Sequence, residues 1–257
     1  MQWEKINVCV QKWMKQARKI ILEGRTKELC VEEKTSRCDL VTNVDKFIEK
    51  FYVDRIRETF PNSKILGEEG EADKDLDNFK GLLWIIDPID GTMNFVKQHD
   101  HFASMIAVCE NGIEKLGYIL DVTEDELYWG GPECGVFCND QKVAPPKNLP
   151  LEEGLFGVGG KMLLSNYRNV QRAAKKSLGV RIYGSSGIEF IHVLTGKNVS
   201  YLSHLRPWDY AAGKILAETL GLVVKTIDEE SLDMLSSSDV LVATKNAHQG
   251  IIKLMNS

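Results

Sequence analysis

Apolar residues at Ile6, Val10, Trp13, Ala17, Ile20 and Ile21 recur at helical spacing, which predicts an amphipathic helix ending near Gly24. A second helix is predicted after Thr42-Asn43, with Phe47, Ile48, Phe51, Tyr52, Ile56 and Phe60 on its apolar side and Pro61 stopping it. Ser63 to Gly67 reads as a short strand leading into Glu68-Glu69-Gly70, and the acidic stretch Glu71 to Asp77 as a solvated loop. Leu82-Leu83-Trp84-Ile85-Ile86 is an unbroken apolar run, the pattern of a central strand covered on both faces. A meander follows over Ala103 to Cys109, Gly117 to Asp121 and Glu126 to Trp129. A further strand around Val136 pairs through the Gly130-Gly131-Pro132 turn region.

Pro145, Pro146 and Pro150 fall in a polar stretch and mark a boundary between an α+β domain over 1–146 and an α/β domain over 147–257. Beyond them strands at Leu155 to Val158 and Val180 to Tyr183 flank a helix from Leu163 to Ser177. A helix over Ile188 to Leu194, a strand at Val199 to Leu202 and a helix over Asp209 to Leu220 come next. A strand at Val240 to Ala243 and a closing helix complete a layered α/β pattern.

The 257 residues suffice for one large or two packed domains, and 43% hydrophobic with 27% charged is ordinary globular composition. A net charge of -5 disfavours a nucleic-acid binder, so an anionic ligand needs a local attractor, such as bound cations. The start, Met1-Gln2-Trp3-Glu4-Lys5, lacks a signal-peptide pattern, and no apolar run is long enough to span a bilayer. Six dispersed cysteines (Cys9, Cys30, Cys38, Cys109, Cys134, Cys138) fit a reducing, cytoplasmic setting. Cys134 and Cys138 have no second ligand pair nearby and are expected as small apolar residues of a strand pair rather than zinc ligands.

Acidic residues gather where strands or loops meet helices: Asp45, Glu68, Asp87, Asp90 and Asp209. Asp87-Pro88-Ile89-Asp90-Gly91-Thr92 follows the buried strand, where ligand sites collect in α/β folds. Across a turn stiffened by Pro88, Asp87 and Asp90 can aim two carboxylates at one point. They repel unless a cation lies between them. Oxygen ligands without a histidine cluster favour Mg²⁺, and Gly91-Thr92 offers backbone N–H groups to a phosphate. Alone, the segment reads first as a capped turn, and the other motifs change that.

Four blocks together resemble the inositol monophosphatase family: Asp39-Leu40-Val41-Thr42-Asn43-Val44-Asp45, Gly67-Glu68-Glu69, Trp84 to Phe95, and Pro207-Trp208-Asp209-Tyr210-Ala211-Ala212-Gly213. Their order and spacing match the family over nearly the whole chain. The resemblance implies a five-layered αβαβα sandwich, Mg²⁺-dependent and Li⁺-sensitive phosphatase chemistry, and a homodimer. It implies one ion on Glu68, Asp87 and the Ile89 carbonyl, a second on Asp87, Asp90 and Asp209, and Glu68 helping to hold a weaker third. Two ions about 3.5–4 Å apart can clamp an in-line displacement. The implied nucleophile is a metal-activated water, its proton handled by Thr92 paired with Asp45, with Glu68 alongside. Lys34 matches a family lysine near the outer metal and phosphate, and reads equally as a surface lysine. Substrate contacts are implied for Asp90, Gly91, Thr92 and Asp209.

Gly184-Ser185-Ser186 matches the loop that contacts the organic part of the substrate, and reads also as a helix cap. Arg206, near His204, is close enough to reach a second phosphate, although solvated arginines are commoner; His99 and His101 read as loop histidines. One position departs from the family. Where inositol-specific members carry a glutamate seven residues before the catalytic-type aspartate, this chain has Leu202, which accepts no hydrogen bond from a ring hydroxyl. The expected substrate is therefore a small phosphorylated metabolite, inositol monophosphate or a relative. The alternatives are the 2'-phosphate of NADP(H), 3'-phosphoadenosine 5'-phosphate and fructose 1,6-bisphosphate. An RNA- or protein-binding regulator on the same fold is the rival from another class.

Overall fold

The first helix, α1 (Gln2–Gly24), buries Ile6, Val10, Trp13, Met14, Ala17 and Ile21 along one stripe. It belongs to a computed structural model that describes residues 2–25, 29–36, 39–70, 73, 75–76 and 79–256. Cys38 and residues 71, 72, 74 and 77 of the acidic stretch lie outside the described residues.

A hairpin, β1 (Val31–Ser36) and β2 (Asp39–Thr42), precedes α2 (Asn43–Thr59). Thr42 caps α2 through a reciprocal box: its hydroxyl accepts from the amides of Val44 and Asp45, and the Asp45 carboxylate accepts from the Thr42 amide. The buried face of α2 carries Ile48, Tyr52 and Ile56 as expected, with one apolar exception and two buried acids. Phe47 is 58% exposed, while Asp45 and Glu49 lie buried beside Ile48, Tyr52 and Ile56.

The first sheet comprises β3 (Lys64–Gly67), β4 (Leu82–Asp90), β5 (Ala103–Glu110), β6 (Ile113–Asp121), β7 (Glu126–Gly131), β8 (Gly135–Cys138) and β9 (Gln141–Lys142), hydrogen-bonded in that order. Only β3 and β4 pair in parallel; the rest form a meander. Between β4 and β5 lies α3 (Thr92–Lys97). The second sheet comprises β10 (Leu155–Val158), β11 (Gly179–Arg181), β12 (Ser200–Leu205), β13 (Val223–Thr226) and β14 (Ser238–Ala243), ordered β11-β10-β12-β14-β13. Its helices are α4 (Gly160–Leu164), α5 (Val170–Lys176), α6 (Ser186–Leu194), α7 (Pro207–Thr219) and α8 (Lys245–Met255).

The layers follow from which faces are buried. On β4, Trp84 and Ile86 join the α1 and α2 side chains, while Leu83 and Ile85 join those of α6 and α7. The second sheet turns Tyr201, Leu205, Val240 and Val242 toward α6 and α7. Phe156, Leu202 and Leu241 on its other face meet α5 and α8. Helix pair, sheet, helix pair, sheet, helix pair gives the five-layered αβαβα sandwich.

Four sequence expectations need correction. The helix expected from Leu163 to Ser177 is split into α4 and α5 by left-handed backbone at Asn166, Arg168 and Asn169. The strand placed at Val180 to Tyr183 ends at Arg181, and Tyr183 lies in the loop before α6. Cys134 is exposed in the turn joining β7 to β8, not in a strand. The Asp87-to-Asp90 segment is not a turn but the end of β4. There the register shifts between the pairs Asp87↔Met105 and Asp90↔Ala103, so one extra residue bulges from the ladder. A bulge tolerates Pro88, which has no N–H to give, and re-aims the side chains on either side of it.

Candidate metal and phosphate site

The β4 bulge brings Asp87 and Asp90 to the mouth of the central layer, where α7 supplies Asp209 from its first turn. One carboxylate oxygen from each of the three lies within 4.8 Å of the others, the one such group of potential metal ligands found among the described residues. Glu68, in the loop after β3, and Ile89 and Thr92 line the same cavity of about 180 Å³. Elements distant in sequence thus place four of the five carboxylates the motifs singled out, Glu68, Asp87, Asp90 and Asp209, around one small space, and the fifth, Asp45, behind Thr92.

Each carboxylate is fixed differently. Asp90 is held on both oxygens by the start of α6: Ser185 Oγ and the Gly187 amide (2.8 Å) donate to one, the Ser186 amide (3.1 Å) and hydroxyl (2.9 Å) to the other. Asp209 accepts from the Arg206 amide at 2.8 Å, closing the N-terminal turn of α7. Asp87 is 1% exposed, and its Oδ1 has no hydrogen-bond partner. A buried carboxylate oxygen with nothing to neutralise it is costly. Burial, then the charges of Glu68, Asp90 and Asp209, pushes the Asp87 carboxyl well above its usual range. Burial, Asp90 and Glu68 do the same to Asp209. A divalent cation among these hard oxygens would satisfy the orphaned atom and reverse the repulsion, so the residues present fit Mg²⁺.

Beside the carboxylates stands a hydroxyl–carboxylate pair. Thr92 Oγ1 lies 2.9 Å from Asp45 Oδ1 and 3.0 Å from the Ile89 carbonyl. Asp45 is fully buried; burial raises its pKa, opposed by hydrogen bonds from Thr42 and Thr92. Gly91 turns the chain from β4 into α3 at φ 86°, and a Cβ there would sit 2.9 Å from Ser185 Cβ. That position needs glycine on both counts. Lys34 Nζ reaches Glu68 Oε1 at 2.9 Å and Glu69 Oε1 at 2.6 Å, so it is paired with the loop that carries Glu68 rather than free on the open surface. Burial lifts the Glu69 carboxyl to about 7, against the pull of Lys34.

A second cavity, of about 390 Å³, opens from Asp90 and Asp209 and is lined by Lys161, Met162, Ile182, Tyr201 and Ser203 among others. Two places singled out by the sequence gain a physical account here. Leu202 does not face this space: it is fully buried and packs with Leu241 on the opposite side of β12, while Tyr201 and Ser203 line the cavity. Ser185 and Ser186 are 3% and 5% exposed and spend their hydroxyls on Asp90, with Ser185 also capping α6. Arg206 lies exposed over the Trp208 ring, His204 pairs with Asp239 at 2.7 Å, and His99 bonds the Phe95 carbonyl at 2.8 Å. Sequence reasoning missed a role for Asn94, whose Nδ2 bridges the carbonyls of His101 (2.8 Å) and Tyr183 (2.7 Å) and ties α3 to the Gly184 loop. Its place inside the third motif block was the available signal.

Carboxylates clustered around a strand bulge, next to a hydroxyl–carboxylate pair, fit a hydrolase that works on phosphate esters. The comparisons make the class specific. The model of the inositol monophosphatase family matches residues 2–257. The inositol-1-monophosphatase of Bacillus subtilis (strain 168) is 40% identical over 256 residues, covering 98% of this chain and 96% of that protein. A crystal structure of an IMPase/NADP phosphatase complexed with Mg²⁺ and phosphate superposes with a TM-score of 0.91 at 31% identity, covering 100% of this chain and 97% of that one. A staphylococcal inositol monophosphatase-1 in a LiCl-soaked inhibitory complex gives 0.93 at 31% identity, covering 99% and 95%. This chain belongs to the inositol monophosphatase family.

Proposed function

We propose that the protein hydrolyses the phosphate monoester of a small polyol, inositol monophosphate or a related sugar phosphate. Two or three Mg²⁺ ions would be held by Glu68, Asp87, the Ile89 carbonyl, Asp90 and Asp209. The observation that carries the reading is the unpartnered Asp87 Oδ1, buried at the centre of the other carboxylates. When bound, Mg²⁺ would supply the positive charge against which phosphate oxygens and an attacking water are drawn together. The backbone N–H groups of Gly91 and Thr92, at the start of α3, receive the phosphate. Asp45, its basicity raised by burial, takes the Thr92 hydroxyl proton as Thr92 takes one from the water that attacks phosphorus, while the ester P–O bond breaks and the polyol leaves as an alcohol with a proton from solvent. Asn94 and the two serines keep the Gly184 loop and Asp90 in register with this pair.

The reading carries with it inhibition by Li⁺, a homodimer and a cytoplasmic location; no helix among the described residues is long and apolar enough to cross a membrane. Phosphate release from inositol 1-phosphate, NADP, 3'-phosphoadenosine 5'-phosphate and fructose 1,6-bisphosphate, with and without Mg²⁺ and Li⁺, tests it. Mg²⁺-dependent release inhibited by Li⁺ supports it, and no Mg²⁺-dependent release from any of them contradicts it.

A second reading rests on the larger cavity. Its volume of about 390 Å³, its apolar side chains Met162, Ile182 and Leu205, and Lys161 on its wall suit a leaving group larger than one ring and bearing a second anion, such as the nucleotide part of NADP. Under this reading Lys161→Ala lowers kcat/KM for NADP about tenfold and leaves inositol 1-phosphate unaffected, the loss expected for one charged contact. Equal effects on both substrates count against it.

A further inference from the structure

Glu49 belongs to none of the motifs, yet it is 1% exposed and lies one helical turn after Asp45 on the same face of α2. Its Oε2 accepts the amide N–H of Glu69 at 2.7 Å. The space its carboxylate occupies exists because residue 67 is glycine: a Cβ at Gly67 would lie 2.5 Å from Glu49 Oε2 and 2.7 Å from its Cδ. The amide it holds is the peptide link between Glu68 and Glu69, so it fixes the backbone from which the Glu68 side chain projects. Lys34 holds the Glu68 and Glu69 carboxylates from the other side. One face of α2 thus controls both arms of the site, Thr92 through Asp45 and Glu68 through Glu49.

The geometry points to Glu49 as a positioning residue for the Glu68 arm, setting the affinity for the metal ion that Glu68 helps to hold. The Glu69 amide N–H is directed into the protein and needs an acceptor, which the Glu49 carboxyl oxygen supplies and an apolar residue would not. Without it the loop after β3 loses its inward anchor and Glu68 samples positions away from Asp87. Partners of metal ligands that act in this way change metal affinity by about 10–100-fold when removed. This inference rests on the phosphatase reading of the same site, and the test separates the two.

Mn²⁺ binding is measured by electron paramagnetic resonance without substrate, alongside the Mg²⁺ concentration giving half-maximal phosphate release. For Glu49→Ala both constants rise about 10–100-fold, while KM for substrate at saturating Mg²⁺ stays within about twofold of wild type. Glu49→Gln, whose amide oxygen accepts the same N–H, recovers most of the affinity. Gly67→Ala removes no carboxylate but forces Glu49 from its place, and shifts both constants in the same direction as Glu49→Ala. Wild-type Mn²⁺ affinity in a folded Glu49→Ala overturns the inference, and if Glu49→Ala fails to fold, wild-type affinity in Gly67→Ala overturns it. Failure of the wild-type protein to bind Mn²⁺ at all overturns the metal reading instead.

Discussion

Thr92 carries the proton-handling part of the account at the scale of one residue. Its hydroxyl lies between Asp45 Oδ1 and the Ile89 carbonyl, so Thr92→Val keeps the shape and removes the one atom that exchanges the proton. The expected loss in kcat is about 10²–10⁴-fold, the range of general acid–base contributions, with little change in KM. Steady-state kinetics check it, and a kcat within a factor of a few of wild type would remove Thr92 from the mechanism. The acidic residues and Thr92 that the fold brings together were legible in the sequence, because they stand in four motif blocks that resemble one family in order and spacing. The residues that hold them were less so. Gly184-Ser185-Ser186 read both as a substrate-contacting loop and as a helix cap; Ser185 caps α6, and the bonds of both hydroxyls to Asp90 had no local signal. Leu202 was placed by spacing alone, which does not say which face of a strand a side chain occupies; pairing with Leu241 puts it in the core behind β12.

Among the elements, α2 best shows what periodicity sees and what it misses. Its length and its Thr42 cap were apparent, yet a hydrophobicity pattern counts Phe47 inside and Glu49 outside, and the structure has them reversed. The two acidic residues are buried because they accept hydrogen bonds from the site's loops, a tertiary reason with no local signature. The β1–β2 hairpin was not foreseen, since Val31-Glu32-Glu33-Lys34-Thr35-Ser36 is too polar to read as a strand, and β13, four residues long, gave too little to count. The β4 run was legible up to Ile86, where the alternating burial of Trp84 and Ile86 against Leu83 and Ile85 had filled both faces. The bulge beyond it was read as a turn because proline marks both. At this scale the cap itself is testable. Thr42→Ala removes the acceptor for the amides of Val44 and Asp45 and costs about 1 kcal/mol. For a chain of this size that lowers Tm by about 2–4 °C. An unchanged Tm in a thermal melt means that the Asp45 half of the box suffices.

For the whole molecule, the central layer of α6 and α7 is sandwiched between two sheets, and the site sits where the ends of β4, α6 and α7 converge. Concentrating carboxylates there opposes folding until a cation neutralises them. Mg²⁺ at about 100 times its dissociation constant should therefore add about 2.7 kcal/mol of apparent stability, read as a rise in Tm. Asp87→Asn removes one of the repelling charges and the ligand at the centre of the group. Without Mg²⁺ this variant should melt at or above wild type; with Mg²⁺ the order should reverse. If Mg²⁺ raises both melting temperatures equally, Asp87 is not a ligand. The most direct test of the central claim is phosphate release from inositol 1-phosphate by wild type and Asp87→Asn, each titrated with Mg²⁺. The account predicts Mg²⁺-dependent turnover in the wild type and a loss of at least about 10³-fold in the variant at every Mg²⁺ concentration, the scale of losing charge stabilisation at the reacting phosphate. Near-normal turnover in Asp87→Asn would contradict it.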